Sequence, residues 1–392
     1  MKPDFMMKDV EVYLDNAATT AVAEEVVESM RHYFEERYGN PETVYRLGRE
    51  AQKAVSDSRA IIADVLKCSP EEIFFTSGGT EANNWAIKGI QPCFEGGLLI
   101  SSVEHASVIE PARWVGKNSS WNGCREIPVD QFGVIDLQAL EEKLKTRSNN
   151  TYLVSIQYAN NEIGTIQPVA KIAELCKKYK VPFHCDAVQA FGKIDFDVDD
   201  VGADMISLSA HKIHGPMGMG ALYIKKGTEI EPLLHGGGQE DGMRSGTLAV
   251  PEIVGFGRAV ELAMDSMPKQ MPRLMKLTEW LAGQLCVSFN AKRNGHPTER
   301  LPNIVSITIP GVEAPVICGV MCSKYGICMS AGAACSTVKR TSHVLEAIGM
   351  NSDDVLSTFR ISMSRYTTDS EVKVAFGRLQ SSHRDASSRS LI

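Results

Sequence analysis

Short apolar runs alternate with amphipathic helical patterns along the first two thirds of this 392-residue chain, and no other feature restricts its fold as tightly. The runs IFFTS (73–77), LLISS (98–102), TYLVSIQY (151–158), VPFHCD (181–186) and DMISLSA (204–210) have strand length, and segments such as PVAKIAELCKKYK (168–180) repeat apolar residues at helical spacing. Strands separated by helices pair in parallel through crossover connections, which predicts an α/β fold with a mostly parallel central sheet flanked by helices. After HGGGQEDGMRSGT (235–247) the rhythm changes to one long helical stretch over 248–289, a strand at NIVSITI (303–309), and further helix and strand. The break predicts a large domain over 20–259 and a smaller α+β domain built from 1–19 and 260–392. The last residues, DASSRSLI (385–392), read as a loose polar tail.

Charge and composition exclude several classes of partner. The chain has 41 basic and 48 acidic residues, a net charge of −7, and no Lys/Arg cluster that forms a stripe for nucleic acid. No apolar run approaches a membrane span, and Lys2, Asp4 and Lys8 sit where a signal peptide needs its apolar stretch, so no membrane partner and a cytoplasmic location are expected. Ten cysteines without the dense spacing of a disulfide scaffold fit free thiols in a reducing compartment. Cys318 and Cys322, four apart in an apolar helical run, read as core packing, as do Met217 and Met219. The series Cys318, Cys322, Cys328 and Cys335 contains no C-x-x-C pair, so no metal site is expected.

Three segments carry chemistry. TSGGTEANN (76–84) follows a strand and opens a helix, so its backbone N–H groups and Thr80 suit a phosphate at the positive helix end, while a tight strand-to-helix turn uses the same glycines. In HCDAVQA (184–190), His184 and Asp186 share one face of a strand, with Asp186 at its carboxyl end, where open α/β sheets meet their ligands; the same carboxylate also suits a helix N-cap. In SLSAHKIHGPMGMGALYI (207–224), Lys212 lies among histidines and glycines at a strand end, as a Schiff-base lysine in a partly desolvated pocket does. A solvated surface charge is the plainer reading of a lone lysine.

These segments stand in order with YLDNAATT (13–20), GNPETVYRLGR (39–49), SVEHASV (102–108), ANNEIGTIQP (159–168), MSAGAACS (329–336) and FRISMSRYTT (359–368), and in this the chain closely resembles the cysteine desulfurase family over nearly its whole length. The resemblance implies an aminotransferase-like fold (fold type I), pyridoxal 5'-phosphate in a Schiff base on Lys212, L-cysteine as substrate, a homodimer, and a sulfur-acceptor protein as partner. It assigns the cofactor phosphate to Gly79, Thr80, Ser209 and His211, with Thr247 reaching the phosphate of the neighbouring subunit. Asp186 would face the pyridine nitrogen, where a carboxylate favours the protonated ring. Gln189 and Asn160 would donate to the ring hydroxyl oxygen, and His105 would stack on the ring and move protons. Arg360, with Asn160 beside it, would bind the substrate carboxylate through its planar fork.

The same resemblance makes Cys335 the sulfur carrier, a thiolate that attacks the substrate sulfur and leaves a persulfide and alanine. The persulfide would supply iron–sulfur clusters, thiolated cofactors or tRNA. Small and polar residues flank this cysteine in AGAACSTVKRTSHVLEAIG (331–349), as in a mobile surface loop. A selenocysteine lyase or cysteine sulfinate desulfinase would share Lys212 and Asp186 but need Cys335 less, and a non-catalytic scaffold would keep the fold alone. The chain departs from the family pattern at Tyr45, where a histidine is common, at Met217, where GPKG is usual, and at Asp241, where an arginine commonly follows GGGQE. The stretch from Cys335 to SHVL is also about one residue shorter than in long-loop desulfurases and lacks their proline before the serine.

Overall fold

A computed structural model describes residues 12–90, 96–118, 123–145, 151–332 and 342–389. A seven-stranded sheet organises the first part, with strands in the order Ile73–Thr76, Gly220–Ile224, Met205–Ser209, Phe183–Asp186, Thr151–Gln157, Gly97–Ser101 and Cys124–Ile127. Gly220–Ile224 is antiparallel to both neighbours, and the other pairings are parallel. Gly97–Ser101, Met205–Ser209 and Gly220–Ile224 are buried at every position, as a sheet covered on both faces requires.

Side chains alternate between the two faces, and each face has its own helical cover. Helices Gly79–Ile90 and Ala106–Asn118 pack over Leu98, Ile100, Leu153 and Leu222. On the other face, helices Arg46–Leu66 and Val169–Tyr179 and the first part of Val250–Phe289 pack over Phe75, Leu99, Val154, Ile156 and Ile206.

The 40-residue helix Val250–Phe289 passes from this core to a second one. Ile253, Phe256, Val260 and Ala263 belong to the first, whereas Leu274, Leu277, Leu281 and Leu285 belong to the second. Pro268 and Pro272 lie between these stretches, where their missing N–H groups interrupt the helical ladder. The second core backs a four-stranded antiparallel sheet, in the order Ser330–Ala331, Thr358–Ser362, Ile304–Thr308 and Lys292–Arg293. Val12–Tyr13 pairs in parallel with Ile327–Cys328, so the start of the described chain is tied to this second layer before it turns toward the large sheet.

Three expectations need correction. Residues 385–389 are not a loose tail, because helix Asp369–Arg389 runs through them; buried Val372, Ala375 and Leu379 anchor that helix, and extending a formed helix is far easier than starting one. Met219 is buried, but Met217 is 62% exposed at the end of a turn. Cys318 packs against the second core, but Cys322 is exposed. The buried stripe of helix Ala314–Tyr325 is Ala314, Ile317 and Met321, and Cys322 stands one position off it.

Candidate active site

The carboxyl ends of the parallel strands open into a cavity of about 620 Å³, at the place where sheets of this kind present loops and helix N-termini. Each wall follows from a strand end. Gly79 and Thr80 come from the turn after Ile73–Thr76, His105 follows Gly97–Ser101, Asp186 ends Phe183–Asp186 with Gln189 just beyond, and Ser209 ends Met205–Ser209 with His211 and Lys212 beyond it. Arg360 enters from Thr358–Ser362 of the second sheet.

The segment Ala17–Thr19 closes another side. Asn16 Nδ2 donates to the carbonyls of Tyr13 (3.1 Å) and Ser362 (2.9 Å), and Ala17 N–H donates to Ser362 Oγ (2.8 Å), which pins the segment to the second sheet. Its carbonyls in turn hold the lysine: Lys212 Nζ donates to Ala17 O and Ala18 O, both at 2.7 Å. Lys212 is therefore a placed group facing the cavity, not a solvated surface charge.

The wall around the turn 77–80 has donors that suit a dianion. Ser209 is 1% exposed and its Oγ has no hydrogen-bond partner among the described residues, an orphaned donor beside Gly79 and Thr80 at the start of helix Gly79–Ile90. Gly78 has φ +138°, and a Cβ on Gly79 would lie 2.7 Å from Val188 Cγ2, so the turn packs directly on the HCDAVQA segment and needs both glycines. His211 Nδ1 is 3.0 Å from Thr19 Oγ1, and burial pushes the imidazole pKa down to about 4, with the Lys212 charge adding, so a neutral ring lines the cavity.

Asp186, also on the cavity wall, is 6% exposed. Its Oδ1 accepts from Val188 N–H (3.0 Å) and its Oδ2 from Asn83 Nδ2 (2.7 Å), so the carboxylate caps the following turn and faces the cavity at once. Asn83 extends the network, donating also to Ser107 Oγ (2.8 Å). Ser107 N–H donates to His105 Nδ1 (3.1 Å), which places the proton of neutral His105 on Nε2, and Ser107 Oγ lies 2.7 Å from the same Nδ1. Burial lowers the His105 pKa; the Asp186 charge opposes this, and the Lys212 and His343 charges reinforce it. A lysine held at the cavity wall, an unpartnered buried hydroxyl beside a helix start and a buried carboxylate fit pyridoxal phosphate.

Arg360 is 3% exposed and held from behind. Its Nη2 pairs with Asp15 Oδ1 (2.7 Å), its Nη1 donates to Asn161 O (3.2 Å), and its Nε has no partner. Two of its five N–H bonds are thus committed to positioning, which leaves donors for an anion in the cavity.

The chain matches the class-V aminotransferase family over residues 12–374. It is 41% identical over 365 residues to the cysteine desulfurase IscS of Methanosarcina thermophila, a match covering 92% of this chain and 89% of that one. The chain belongs to the cysteine desulfurase family. A solved NifS-like protein superposes with a TM-score of 0.88 at 38% identity, covering 94% of this chain and 98% of that one. SspA in complex with cysteine superposes with a TM-score of 0.80 at 36% identity, covering 91% and 100%. The fold is accordingly that of fold type I enzymes, and family membership implies pyridoxal phosphate as cofactor.

Not every expected residue of this family's site walls the cavity. Asn160 is fully buried: its Nδ2 donates to Val103 O (3.0 Å), and its Oδ1 accepts from Glu162 N–H (2.8 Å) and Ile163 N–H (2.9 Å). Together with Gln157, whose Nε2 donates to the same Val103 carbonyl (2.6 Å), it fixes the approach to His105. Thr247 is exposed and away from the cavity wall, and Cys335 lies outside the described residues. His184 shares the Asp186 strand but is enclosed between Ser155 Oγ and Ser207 Oγ, each 2.8 Å from a ring nitrogen. Of the positions that depart from the family pattern, Met217 stands at the cavity wall, whereas Tyr45 and Asp241 are exposed elsewhere.

Sequence reasoning passed over Asn83, Ser107 and Asp15. All three lie inside motifs already singled out, TSGGTEANN, SVEHASV and YLDNAATT, but nothing in their spacing shows that Asn83 bridges to Ser107 and Asp186, or that Asp15 holds an arginine 345 residues away. Among the described residues, no His/Cys/Asp/Glu cluster could hold a metal ion, and no helix is long and apolar enough to cross a membrane.

Proposed function

We propose that this chain is a pyridoxal-phosphate-dependent cysteine desulfurase that converts L-cysteine to L-alanine and leaves the sulfur as a persulfide on Cys335 for a sulfur-acceptor protein. The observation that carries this reading is the single cavity walled by Lys212, Asp186, His105 and Arg360. Lys212 would link the cofactor, and Gly79, Thr80, Ser209 and His211 would hold its phosphate. Asp186 would face the pyridine nitrogen and favour its protonated form, and Gln189 would attend the ring oxygen, while Asn160 braces the wall from behind through Val103 and the 162–163 backbone. Bound pyridoxal phosphate supplies the sink for the electron pair left when the substrate Cα loses its proton.

The remaining steps belong to side chains. Arg360 binds the substrate carboxylate and so sets which Cα bond faces Lys212. With the cofactor bound, Lys212 Nζ would take the Cα proton, and His105 would offer the proton on its Nε2. Cys335 attacks as thiolate: the new S–S bond forms while the substrate Cβ–S bond breaks, and the electrons of that bond return to carbon, which gains a proton to give alanine.

The reading includes a homodimer in which Thr247 reaches the phosphate held by a second copy. Two exposed segments support it. Gln239 Nε2 donates to Glu42 Oε2 (2.8 Å), joining the 235–247 turn to the 39–49 turn, where Val44 is 84% and Tyr45 56% exposed. Exposed apolar side chains of that kind, on a segment tied to the turn that carries Thr247, suit contact with another copy of the chain.

The test is to load the protein with pyridoxal phosphate, supply cysteine labelled at sulfur, and locate the label by peptide mass spectrometry. The label is expected on Cys335 with an equal yield of alanine, and Cys335→Ala is expected to abolish alanine release. A Cys335→Ala protein with full activity on free cysteine would sink the proposal.

A further inference from the structure

We infer that Lys193 is a positioning residue for the cofactor site, holding the Gln189 amide so that its N–H end is turned to Ala17 and the Lys212 side of the cavity. The inference rests on the functional reading above and adds a residue that does not line the main cavity.

Lys193 is 7% exposed, and its Nζ donates to Gln189 O (2.9 Å) and Gln189 Oε1 (3.3 Å). No carboxylate is paired with it among the described residues. An ammonium without a counter-ion is an expensive way to fill a core position, since a methionine of similar length fills the same space without desolvating a charge. Burial, with the Lys212 charge adding, pushes the Lys193 pKa down to about 7. Packing alone therefore does not account for a lysine here.

The hydrogen bonds show what the lysine does. Gln189 Nε2 donates to Ala17 O (2.9 Å), the same carbonyl that accepts from Lys212 Nζ at 2.7 Å, so Lys193, Gln189, Ala17 and Lys212 form one chain of contacts. Turning the Gln189 amide over would set its NH2 group against the Lys193 donor and its oxygen against the Ala17 carbonyl, losing both bonds. Lys193 thus decides which end of Gln189, a wall residue of the main cavity, can meet the ring oxygen. The two lysines also share a small polar space. Both line a separate cavity of about 30 Å³ with Asn303 and Arg365, whose Oδ1 and Nη2 lack protein partners, enough room for about two waters.

The experiment compares Lys193→Met, Lys193→Gln, Gln189→Leu and the Lys193→Met/Gln189→Leu double variant, using the visible absorption of the lysine-linked cofactor, the rate of cofactor release, kcat and KM for cysteine, and the thermal stability of the cofactor-free protein. Lys193→Met is expected to melt no lower than the parent while its cofactor absorption shifts, its cofactor release quickens and its kcat falls about tenfold with KM little changed, the effect of about one misplaced hydrogen bond. The double variant is expected to be no worse than Gln189→Leu alone, because Lys193 acts through Gln189. Lys193→Gln keeps a donor and is expected to stay near the parent spectrum. The inference is overturned if Lys193→Met leaves absorption and kcat unchanged, if it only lowers the melting temperature, if the two defects multiply in the double variant, or if Lys193→Gln is as defective as Lys193→Met. A parent protein with no lysine-linked absorption would overturn the functional reading itself, a result distinct from a normal parent with an unaltered Lys193→Met.

Discussion

Replacing Arg59 by Met should cost this protein about 3–5 kcal/mol, the range found when one partner of a buried ion pair is removed. Arg59 Nη2 is 2.5 Å from Glu240 Oε1 and Arg59 Nη1 is 3.0 Å from Glu240 Oε2, a two-bond fork. The Glu240 side chain is 1% exposed and also accepts from Phe75 N–H at 2.9 Å, while the guanidinium lies 4.8 Å above the Phe75 ring. Glu240 itself stands at φ +53°, an unfavourable region for a residue with a side chain, so the ion pair is what keeps the 235–247 turn against the strand Ile73–Thr76. Arg59→Met leaves a buried carboxylate with one backbone donor. At roughly 1–2 °C per kcal/mol for a chain of this length, the melting temperature of the cofactor-free protein should fall by about 5 °C. The double variant Arg59→Met/Glu240→Gln removes the stranded charge and should recover part of the loss, ending about 1–2 kcal/mol below the parent. Thermal melts followed by circular dichroism decide the matter. An Arg59→Met protein within about 1 kcal/mol of the parent, or a double variant less stable than the single, would refute the argument.

Two further outcomes follow from groups around the site. Ser209→Ala removes a buried hydroxyl that has no protein partner, so folding stability should not fall, whereas affinity for pyridoxal phosphate, measured by fluorescence titration of the cofactor-free protein, should weaken about tenfold; equal affinity would remove Ser209 from the phosphate site. His184 is fully buried, and its pKa is pushed down to about 3, so between that value and about 6.5 the unfolded chain takes up a proton that the folded one refuses. Acid therefore favours unfolding in that window, by about 2–3 kcal/mol at pH 4.5 for this residue alone. The stability difference between pH 7 and pH 4.5, measured by urea titration, should shrink by that amount in His184→Asn; an unchanged difference would show that His184 is not the group responsible.

Strand and helix alternation was legible because a two-sided parallel sheet writes continuous apolar runs, and the runs at 73–77, 98–102, 151–158, 181–186 and 204–210 coincide with strands to within a residue or two at each end. The antiparallel placement of Gly220–Ile224 between Ile73–Thr76 and Met205–Ser209 was not legible, since strand order depends on which crossovers pack together and leaves no mark on local periodicity. Helix Asp369–Arg389 outran its sequence signal for a related reason: its last residues are polar, and the buried residues that anchor it, Val372, Ala375 and Leu379, lie about two to five turns earlier.

By itself the sequence determined the class of the fold and the chemical type of the site. A lysine, a carboxylate and a glycine-rich turn that follow three strands running the same way open on one cavity, because such strands bring their carboxyl ends to one edge of the sheet. Only the tertiary structure decided how those groups are held. Asp15 reaches Arg360, Asn83 ties Asp186 to Ser107 and His105, the Ala17 and Ala18 carbonyls receive Lys212, and Lys193 orients Gln189 from behind. Most of these contacts join segments far apart along the chain, and a hydrogen bond depends on a few tenths of an ångström and on direction, neither of which residue spacing encodes.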